Sequence, residues 1–238
     1  MKKVLIKKVV ASALLGIMTM GLVGCGSSNN TSAAGNKNDL LETIQDKGKV
    51  VVGMSADYAP YEFHYIDENG KDVIGGFDVD IANEIASKLG VELVIQEMDF
   101  DALVTALPAG KVDLVISGMN PTEERAKVVD FSEVYYNSQH GILVRAEDVD
   151  KYKTFADLEG AKVGAQLGST QEQIAKNEIP NADLQLLANV NNLILELKSG
   201  KVDAIIMEKP VAQMAVKSNP ELAVGEATYE EESGGNAV

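Results

Sequence analysis

The chain has 238 residues, of which 45% are hydrophobic, so it can form one large domain or two lobes of about 100 residues each, and its composition excludes an intrinsically disordered protein. The formal net charge of −15 at pH 7 excludes nucleic acid as a partner, because binding to phosphates requires a basic surface. The same charge argues against attraction to anionic lipids.

The first 24 residues predict an exported protein. A basic start, MKKVLIKK, precedes an uncharged run that is shorter than the ~20 residues needed to cross a bilayer. The sequence LVGC, Leu22 to Cys25, resembles a bacterial lipoprotein signal, in which Cys25 is lipidated and becomes the mature N-terminus; the alternative is a chance cysteine after an ordinary signal. Cys25 is the only cysteine, so no internal disulfide is expected. Residues 25–38 are polar, as in a flexible tether.

Residues 39–138 are expected to form a first α/β lobe. KVVVGM at 49–54 is an unbroken apolar run, which predicts a strand buried on both faces, as in a parallel sheet. A hairpin that turns at Asn69-Gly70 should follow, and then a helix in FDVDIANEIASKLG that ends at Gly90. Further elements are predicted in VELVIQEM (strand), DALVTALPAG (helix), KVDLVIS (strand) and TEERAKVVDF (helix, with Thr122 as N-cap).

Residues 139–227 repeat this alternation and predict a second lobe. Its strands are expected in GILVRA, AKVGAQ, LQLLA and KVDAIIM, and its helices in GSTQEQIAKN, NNLILELKSG and EKPVAQMAVKSN. GKVD occurs in both lobes, at 110–113 and 200–203, each time between a predicted helix and a predicted strand. The alternation indicates a mostly parallel sheet in each lobe. Residues 228–238 should return toward the first lobe; either the chain is a fragment whose C-terminal closing segment is missing, or the domain is unusually short.

Ligands of open α/β sheets bind beyond the carboxyl ends of the strands, and four segments lie at such positions. They are SADYAPYEF from Ser55, SGMNPTEER from Ser117, EKP from Glu208, and the helix-opening loop QLGST from Gln166. Arg125 can hold a carboxylate through two parallel hydrogen bonds, and the helix start after Gly168 favours an anion. Glu208 offers a carboxylate to an ammonium group, while Tyr58 and Phe100 can pack on the ligand's stem. This combination suits a zwitterion.

Each of these residues also has a purely structural interpretation. Arg125 could lie on a helix surface and pair with Glu124 or Asp130. An acid such as Glu208 is favoured at the start of any helix by the helix dipole. The hydroxyl groups of residues 169–170 could simply cap the helix that follows them.

From about Lys49 to Val238 the chain resembles the polar amino acid-binding proteins of ABC importers, the family 3 extracellular solute receptors. The resemblance lies in GFDVDIANEIASKLG, LPAGKVDLVISGMNPTEERAKVVDFSEVYY, LGSTQEQIA and GKVDAIIMEKPVA, which occur in the family's order. It implies an α/β, two-lobed periplasmic-binding-protein-like fold of type II, with the ligand in the interlobe cleft. Hinges are then expected near residues 137–141 and 228–236.

The resemblance also implies roles for individual residues. Arg125, in the T-x-x-R element, would hold the ligand's α-carboxylate with help from residues 169–170, and Glu208 would hold the α-ammonium group. The predicted ligand-binding residues are Ser55, Asp57, Tyr58, Phe100, Ser117, Gly118, Asn120, Arg125, Gln166, Ser169, Thr170 and Glu208. Family members that prefer cationic side chains often carry an acid where this chain has Ser55, with Asp57 two positions later, so an arginine or lysine ligand does not follow simply.

The sequence therefore predicts a monomeric receptor, lipid-anchored to the outer face of the cell membrane (periplasmic if the cell has two membranes). It would bind a polar amino acid and deliver it to a permease and an ATPase that are separate chains. No cofactor and no metal are expected. Two alternatives stay open: an enzyme of the same fold, such as a cyclohexadienyl dehydratase, with His64 and His140 as available bases, or a sensory domain. Glutamine, histidine, arginine, cystine and acidic ligands are all open.

Overall fold

The computed structural model describes residues 40–137, 139–230 and 235–238. The predicted signal peptide, the tether and Cys25 lie outside these residues, as do parts of both predicted hinges. We name residues 40–137 the first lobe and residues 139–230 the second lobe. Within the described ranges, no helix has the length and apolar character needed to cross a membrane.

The first lobe is built on two small sheets. Its elements are α1 (Leu40–Lys47), β1 (Lys49–Met54), β2 (Asp57–Tyr58), β3 (Glu62–Ile66), β4 (Asp72–Gly75), α2 (Phe77–Leu89), β5 (Glu92–Glu97), α3 (Phe100–Ala106) and β6 (Leu114–Val115). Strand β1 is the middle strand of a parallel sheet ordered β5-β1-β6, and its side chains are largely buried, as the apolar run predicts. Strands β2, β3 and β4 form an antiparallel sheet whose β3–β4 hairpin turns at Asn69-Gly70. Helix α2 ends before Gly90, whose φ of 70° suits a glycine C-cap.

The second lobe contains one five-stranded sheet. Its elements are β7 (Gln139–Arg145), β8 (Lys162–Gln166), α4 (Thr170–Glu178), β9 (Asp183–Leu187), α5 (Val190–Lys198), β10 (Ala204–Glu208), α6 (Lys209–Ser218) and β11 (Leu222–Glu230). The strand order is β11-β7-β10-β8-β9. Strands β8, β9 and β10 are parallel, as predicted, whereas β7 runs antiparallel to both β10 and β11. Strand β11 follows β10 through helix α6 and runs parallel to it, so β7 is the strand of this sheet that runs opposite to the other four.

The predicted helix in TEERAKVVDF is wrong. Only one 3-10 turn forms there, at Arg125–Lys127. Val128 is exposed, so the segment lacks the continuous buried face that stabilises a helix, and its neighbour Val129 adds a second β-branched residue. Thr122 still accepts a hydrogen bond from the Arg125 N–H (3.3 Å), as an N-cap residue would.

Residues 135–136 and residue 236 lie side by side, next to the two predicted hinges. The Asn236 N–H donates to the Tyr136 carbonyl (2.8 Å), and the Tyr135 N–H donates to the Asn236 carbonyl (2.9 Å). The Ala237 N–H then donates to the Met119 carbonyl (2.9 Å). Residues 235–238 therefore pack against the first lobe.

Candidate functional site

The repeated GKVD sequence forms the same structure in both lobes. In the first lobe, the Asp113 carboxylate accepts a hydrogen bond from the Val51 N–H (3.0 Å), and the Asp113 N–H donates to the Val51 carbonyl (2.8 Å). In the second lobe, Asp203 makes the equivalent contacts with Lys162, at 3.0 and 2.7 Å. Each aspartate thus fixes the start of a parallel strand pair, β1–β6 or β8–β10. Asn120, five residues after β6, and Glu208, the last residue of β10, both make hydrogen bonds to the other lobe.

Arg125 lies between the two lobes. Its Nη1 donates to the Asn120 carbonyl (2.8 Å) in the first lobe, and its Nη2 donates to the Gly168 carbonyl (3.0 Å) in the second. The guanidinium carbon lies 5.4 Å from the centroid of the Phe100 ring, in a cation–π contact. A cavity of about 530 Å³ beside it is lined by both lobes, including Thr170. These contacts hold the guanidinium group next to the start of α4.

The start of α4 is capped and also reaches the first lobe. Ser169 is the N-cap residue: its hydroxyl accepts a hydrogen bond from a backbone N–H of the first turn (3.2 Å) and donates to the Gln166 carbonyl (2.6 Å). The Thr170 hydroxyl donates to Asn120 Oδ1 of the first lobe (2.9 Å). The Gln166 amide donates to the Ala188 carbonyl (3.0 Å). Ser169 therefore has a capping role, and Thr170 bridges the lobes.

Glu208 is fully buried at the end of β10, against two tyrosines of the first lobe. The Tyr61 hydroxyl donates to Glu208 Oε2 (2.6 Å), and the Tyr58 hydroxyl accepts from the Glu208 N–H (3.1 Å). Burial, and then the charge of Glu208, raises the pKa of Tyr61 far above its ordinary value, so its phenol remains a donor. The Gln171 amide of α4 also donates to the Tyr58 hydroxyl (3.1 Å).

Asp57 joins the lobes at a separate point. Its Oδ2 accepts a hydrogen bond from the N–H of Val190, the first residue of α5 (2.6 Å), and its Oδ1 accepts from the Ser55 hydroxyl (3.2 Å). Burial raises the pKa of Asp57, and the Val190 N–H partly offsets that rise. A cavity of about 460 Å³ beside it is also lined by Glu97 and Asp99. This side of the interlobe contact is therefore acidic.

Ser117 and Gly118, which follow β6, are bonded to buried acids of their own lobe. The Ser117 hydroxyl donates to Glu62 Oε1 (2.5 Å) and accepts from the Ser55 N–H (3.0 Å). The Gly118 N–H donates to Asp78 Oδ2 (2.7 Å). These two predicted site residues are consequently held by first-lobe contacts.

The predicted site residues fall into four groups in space. The first group contains Phe100, Asn120, Arg125, Ser169 and Thr170; the second contains Tyr58 and Glu208; and the third contains Ser55, Asp57, Ser117 and Gly118. The fourth is Gln166, which lies between the first and third groups, because its carbonyl accepts from Ser169 and its side chain interacts with Asp57. The Asn236 amide links the first two groups, at 3.1 Å from the Asn120 amide and 3.5 Å from Glu208.

Sequence reasoning missed three residues of this contact. Tyr61 could have been found, because it follows Tyr58 in the same strand-end segment, and Gln171 is next to Thr170. Asn236 gives no local signal, since a long-range contact brings it to the site. In the part of the chain that the structure describes, no cluster of His, Cys, Asp and Glu could hold a metal ion.

Comparison with known proteins adds independent information. A sequence profile of the bacterial extracellular solute-binding proteins, family 3, matches residues 50–209. The arginine-binding extracellular protein ArtP of Bacillus subtilis (strain 168) is 39% identical over 218 residues, which cover 91% of this chain and 78% of that protein. A probable histidine-binding protein of Campylobacter jejuni is 36% identical over 229 residues, covering 96% of this chain and 83% of that protein.

Solved structures show the same similarity. The amino acid ABC transporter substrate-binding protein AbpA of Streptococcus pneumoniae, bound to L-arginine, superposes with a TM-score of 0.79 at 43% identity, covering 82% of each chain. A truncated, arginine-bound ArgBP from T. maritima superposes with a TM-score of 0.73 at 39% identity, covering 83% of this chain and 91% of that one. The α/β, two-lobed type II fold predicted from the sequence is thereby confirmed.

Proposed function

Because the chain belongs to family 3 of the bacterial extracellular solute-binding proteins and is a polar amino acid-binding protein rather than an enzyme, we propose that it is a lipid-anchored receptor for an ABC importer. It would close its two lobes around one amino acid and deliver that ligand to a permease and an ATPase on separate chains. The observation that carries this proposal is the position of Arg125, which joins the first lobe to the start of α4.

The α-carboxylate of the ligand would bind at Arg125. A guanidinium group presents five N–H donors in a planar fork that fits a carboxylate. The bonds from Arg125 to the Asn120 and Gly168 carbonyls support this role, because they fix the guanidinium group beside a helix N-terminus. There the Thr170 hydroxyl and the positive end of the α4 dipole would add to anion binding.

The α-ammonium group would bind at Glu208. A buried carboxylate is stabilised by a cationic partner, and a ligand ammonium group supplies one. The stacked rings of Tyr58 and Tyr61, with centroids 5.9 Å apart, would offer apolar surface to the ligand's stem. The Tyr61 hydroxyl, which donates to the Glu208 carboxylate, and the Tyr58 hydroxyl, which accepts from the Glu208 N–H, support this assignment by fixing Glu208 in the interlobe contact.

The ligand's side chain is proposed to be cationic, with L-arginine as the first candidate. The cavity lined by Asp57, Glu97 and Asp99 is acidic and would attract a guanidinium group. The relatives solved with L-arginine bound support the same choice. Ser55 and Gln166 would tune the selectivity.

Closure would follow a hinge mechanism. The ligand would first bind one lobe, and contacts with the other lobe would then stabilise the closed form. The direct bonds from Thr170 to Asn120 and from the Val190 N–H to Asp57 support this mechanism, because both join the lobes. The hinges would lie in the two segments near Tyr136 and Asn236.

The export and anchoring steps rest on the sequence. Cleavage before Cys25 and lipidation of its thiol would tether the receptor, as a monomer, to the outer face of the membrane. A Cys25→Ser variant should then leave the membrane fraction for the medium, or for the periplasm of a cell with two membranes, and a variant that stays in the membrane fraction would contradict lipid anchoring.

Ligand binding is tested by a thermal-shift screen of the purified chain with the twenty amino acids, cystine and ornithine. Ligand at 100 times its dissociation constant adds ~2.7 kcal/mol of stability, which is a rise of roughly 5–10 °C for a domain of this size. A rise with one or two L-amino acids supports the receptor and names its ligand. No rise with any of them, in a folded chain, overturns the proposal.

The site is tested by Arg125→Ala in isothermal titration with the ligand found in the screen. Truncating one partner of a buried charge pair costs ~2–5 kcal/mol, so the affinity should fall by roughly 100-fold or more. Arg125→Lys should recover only part of this loss, because an ammonium group cannot reproduce two parallel bonds. Lys127→Ala, an exposed cation two positions away, serves as control. An unchanged affinity in Arg125→Ala would remove the site assignment.

A further inference from the structure

Two carboxyl groups, those of Glu62 on β3 and Asp78 on α2, are fully buried inside the first lobe. They lie close enough for each to shift the pKa of the other. No ion pair within the described residues includes either of them. Two ionised carboxylates in contact repel each other strongly when both are buried, so the pair must hold a proton.

The hydrogen bonds around the pair show which carboxyl group holds that proton. Asp78 accepts the Gly118 N–H (2.7 Å), and both of its oxygens lie 3.0 Å from the Tyr135 hydroxyl, so it is surrounded by donors as an anion should be. Glu62 Oε1 accepts the Ser117 hydroxyl (2.5 Å). Glu62 Oε2 is buried with no donor, and a proton on this oxygen, donated to Asp78, satisfies it.

The electrostatic surroundings agree with this assignment. Burial, and then the charge of Asp78, holds the pKa of Glu62 well above its ordinary range, and the Ser117 hydroxyl lowers it only in part. Burial also raises the pKa of Asp78, but the Gly118 N–H, the Tyr135 hydroxyl and Glu62 oppose that rise. The other titratable groups around the pair are Asp57 and Tyr58 on β2, Tyr135 before β7 and Glu208 at the end of β10. All of these are acids or phenols, so none compensates a second negative charge.

The same pair is where the segment after β6 is fixed. The backbone N–H of Ser55 donates to Ser117 Oγ (3.0 Å), which donates to Glu62, while Gly118 is bonded to Asp78. We propose that Glu62 is a neutral positioning residue, whose protonated carboxyl group binds Asp78 and thereby orients Ser117 and Gly118 for binding of the amino acid. The positioning role rests on the proposed function, whereas the neutral state of Glu62 does not.

The proposal has a definite pH signature. The unfolded chain releases the Glu62 proton above pH 4.5, the ordinary pKa of the group, but the folded chain keeps it. The stability due to the retained proton is therefore complete below that pH, decreases as the pH rises above it, and is fully lost once the pH has passed the folded pKa. In Glu62→Gln, the amide oxygen can accept from Ser117 and the amide nitrogen can donate to Asp78 at every pH.

The first experiment measures thermal unfolding of the purified, ligand-free chain and of Glu62→Gln at pH 5, 6, 7 and 8. The melting temperature of Glu62→Gln should rise relative to the unmodified chain by about 3 °C for each pH unit, as long as the folded chain retains the proton. In the control Glu92→Gln, an exposed glutamate on β5, the difference should not change with pH. A Glu62→Gln difference that stays constant from pH 5 to 8 overturns the neutral state.

The second experiment titrates L-arginine into the same proteins and into Glu62→Ala at pH 7. Glu62→Gln should bind within about threefold of the unmodified chain, and Glu62→Ala should lose at least tenfold, because Ser117 and Asp78 then lose their partner. Equal losses in both variants would overturn the positioning role. If the unmodified chain binds no amino acid at all, the proposed function fails, while the pH-dependent stability still decides whether Glu62 is neutral.

Discussion

The two GKVD segments have the same backbone structure but different chemistry after the strand. In each, an aspartate bonds to the backbone of the neighbouring parallel strand, through Val51 in the first lobe and through Lys162 in the second. After β6 the chain continues as Ser117-Gly118, whose donors are bonded to Glu62 and Asp78. Strand β10 itself ends in Glu208, whose carboxylate accepts the Tyr61 hydroxyl and whose backbone N–H donates to the Tyr58 hydroxyl, both of the other lobe.

Within one repeated element, some residues therefore have a structural role and others have a role in the proposed site. The aspartate determines where a strand pair begins, and the residues that follow the strand determine what the element offers to a ligand. The first repeat leads to neutral groups whose donors are bonded to buried acids of the same lobe, and the second ends in a carboxylate at the interlobe contact. Of the two ends, the second is therefore the one that can offer a charge to the ammonium group of the proposed ligand.

The largest effect is expected from Glu208→Gln. The amide keeps the shape of the side chain and can still accept from the Tyr61 hydroxyl, but it removes the charge that would pair with the ligand's ammonium group. The affinity for the ligand found in the screen should fall by about 100-fold, or ~3 kcal/mol, in isothermal titration.

The matched control for Glu208→Gln is Glu196→Gln, on α5 of the same lobe, where the glutamate pairs with Lys201 on the surface. It should leave the affinity unchanged. A loss smaller than tenfold in Glu208→Gln would mean that the two strand ends do not differ in function as proposed.

A smaller effect is expected when either aspartate of the repeat is removed. Asp113→Ala leaves the part-buried Val51 N–H without its carboxylate acceptor, which should lower the free energy of unfolding by ~2 kcal/mol, or about 4–8 °C. Asp203→Ala frees the exposed Lys162 N–H, which water can reach, so its cost should be lower, ~1 kcal/mol. Lys47→Ala, which removes the exposed partner of Asp113, should cost less than ~0.5 kcal/mol. Ligand affinity should stay within about threefold in all three variants, and a large loss of affinity with unchanged stability would contradict the scaffold role.

Much of the fold could be predicted because local pattern and burial agree. The run at 49–54 is both unbroken and apolar, and it forms the central strand β1 with those bounds. The helix that ends before Gly90 was marked by its apolar spacing and by a residue that tolerates a positive φ. The segment after Pro121 misled the prediction, because its helix-forming residues have no core to bury a face against, and this depends on the tertiary structure.

The site could be predicted only as a set of strand-end residues. The positions of Arg125, Thr170 and Glu208 follow from where strands and helices end. The contact of Asp57 with the start of α5, and the approach of Asn236 to Glu208, join residues more than twenty positions apart, and no local pattern encodes them. Glu62 is buried on a strand whose other side chains are mostly exposed, so no pattern in the sequence indicates its burial.

The smallest effect is expected from substitutions in the turn that precedes each aspartate. Gly110 and Gly200 have φ values of 67° and 74°, and a Cβ added at either would meet no atom within 4 Å. Alanine at either position should therefore cost only the strain of the left-handed conformation, ~1 kcal/mol or about 2–4 °C in thermal unfolding. Asparagine, which tolerates this conformation better, should cost less than alanine. If one alanine variant lost more than twice as much stability as the other, the two turns would not be equivalent. The structure shared by the two lobes would then begin at the aspartates and not include the turns.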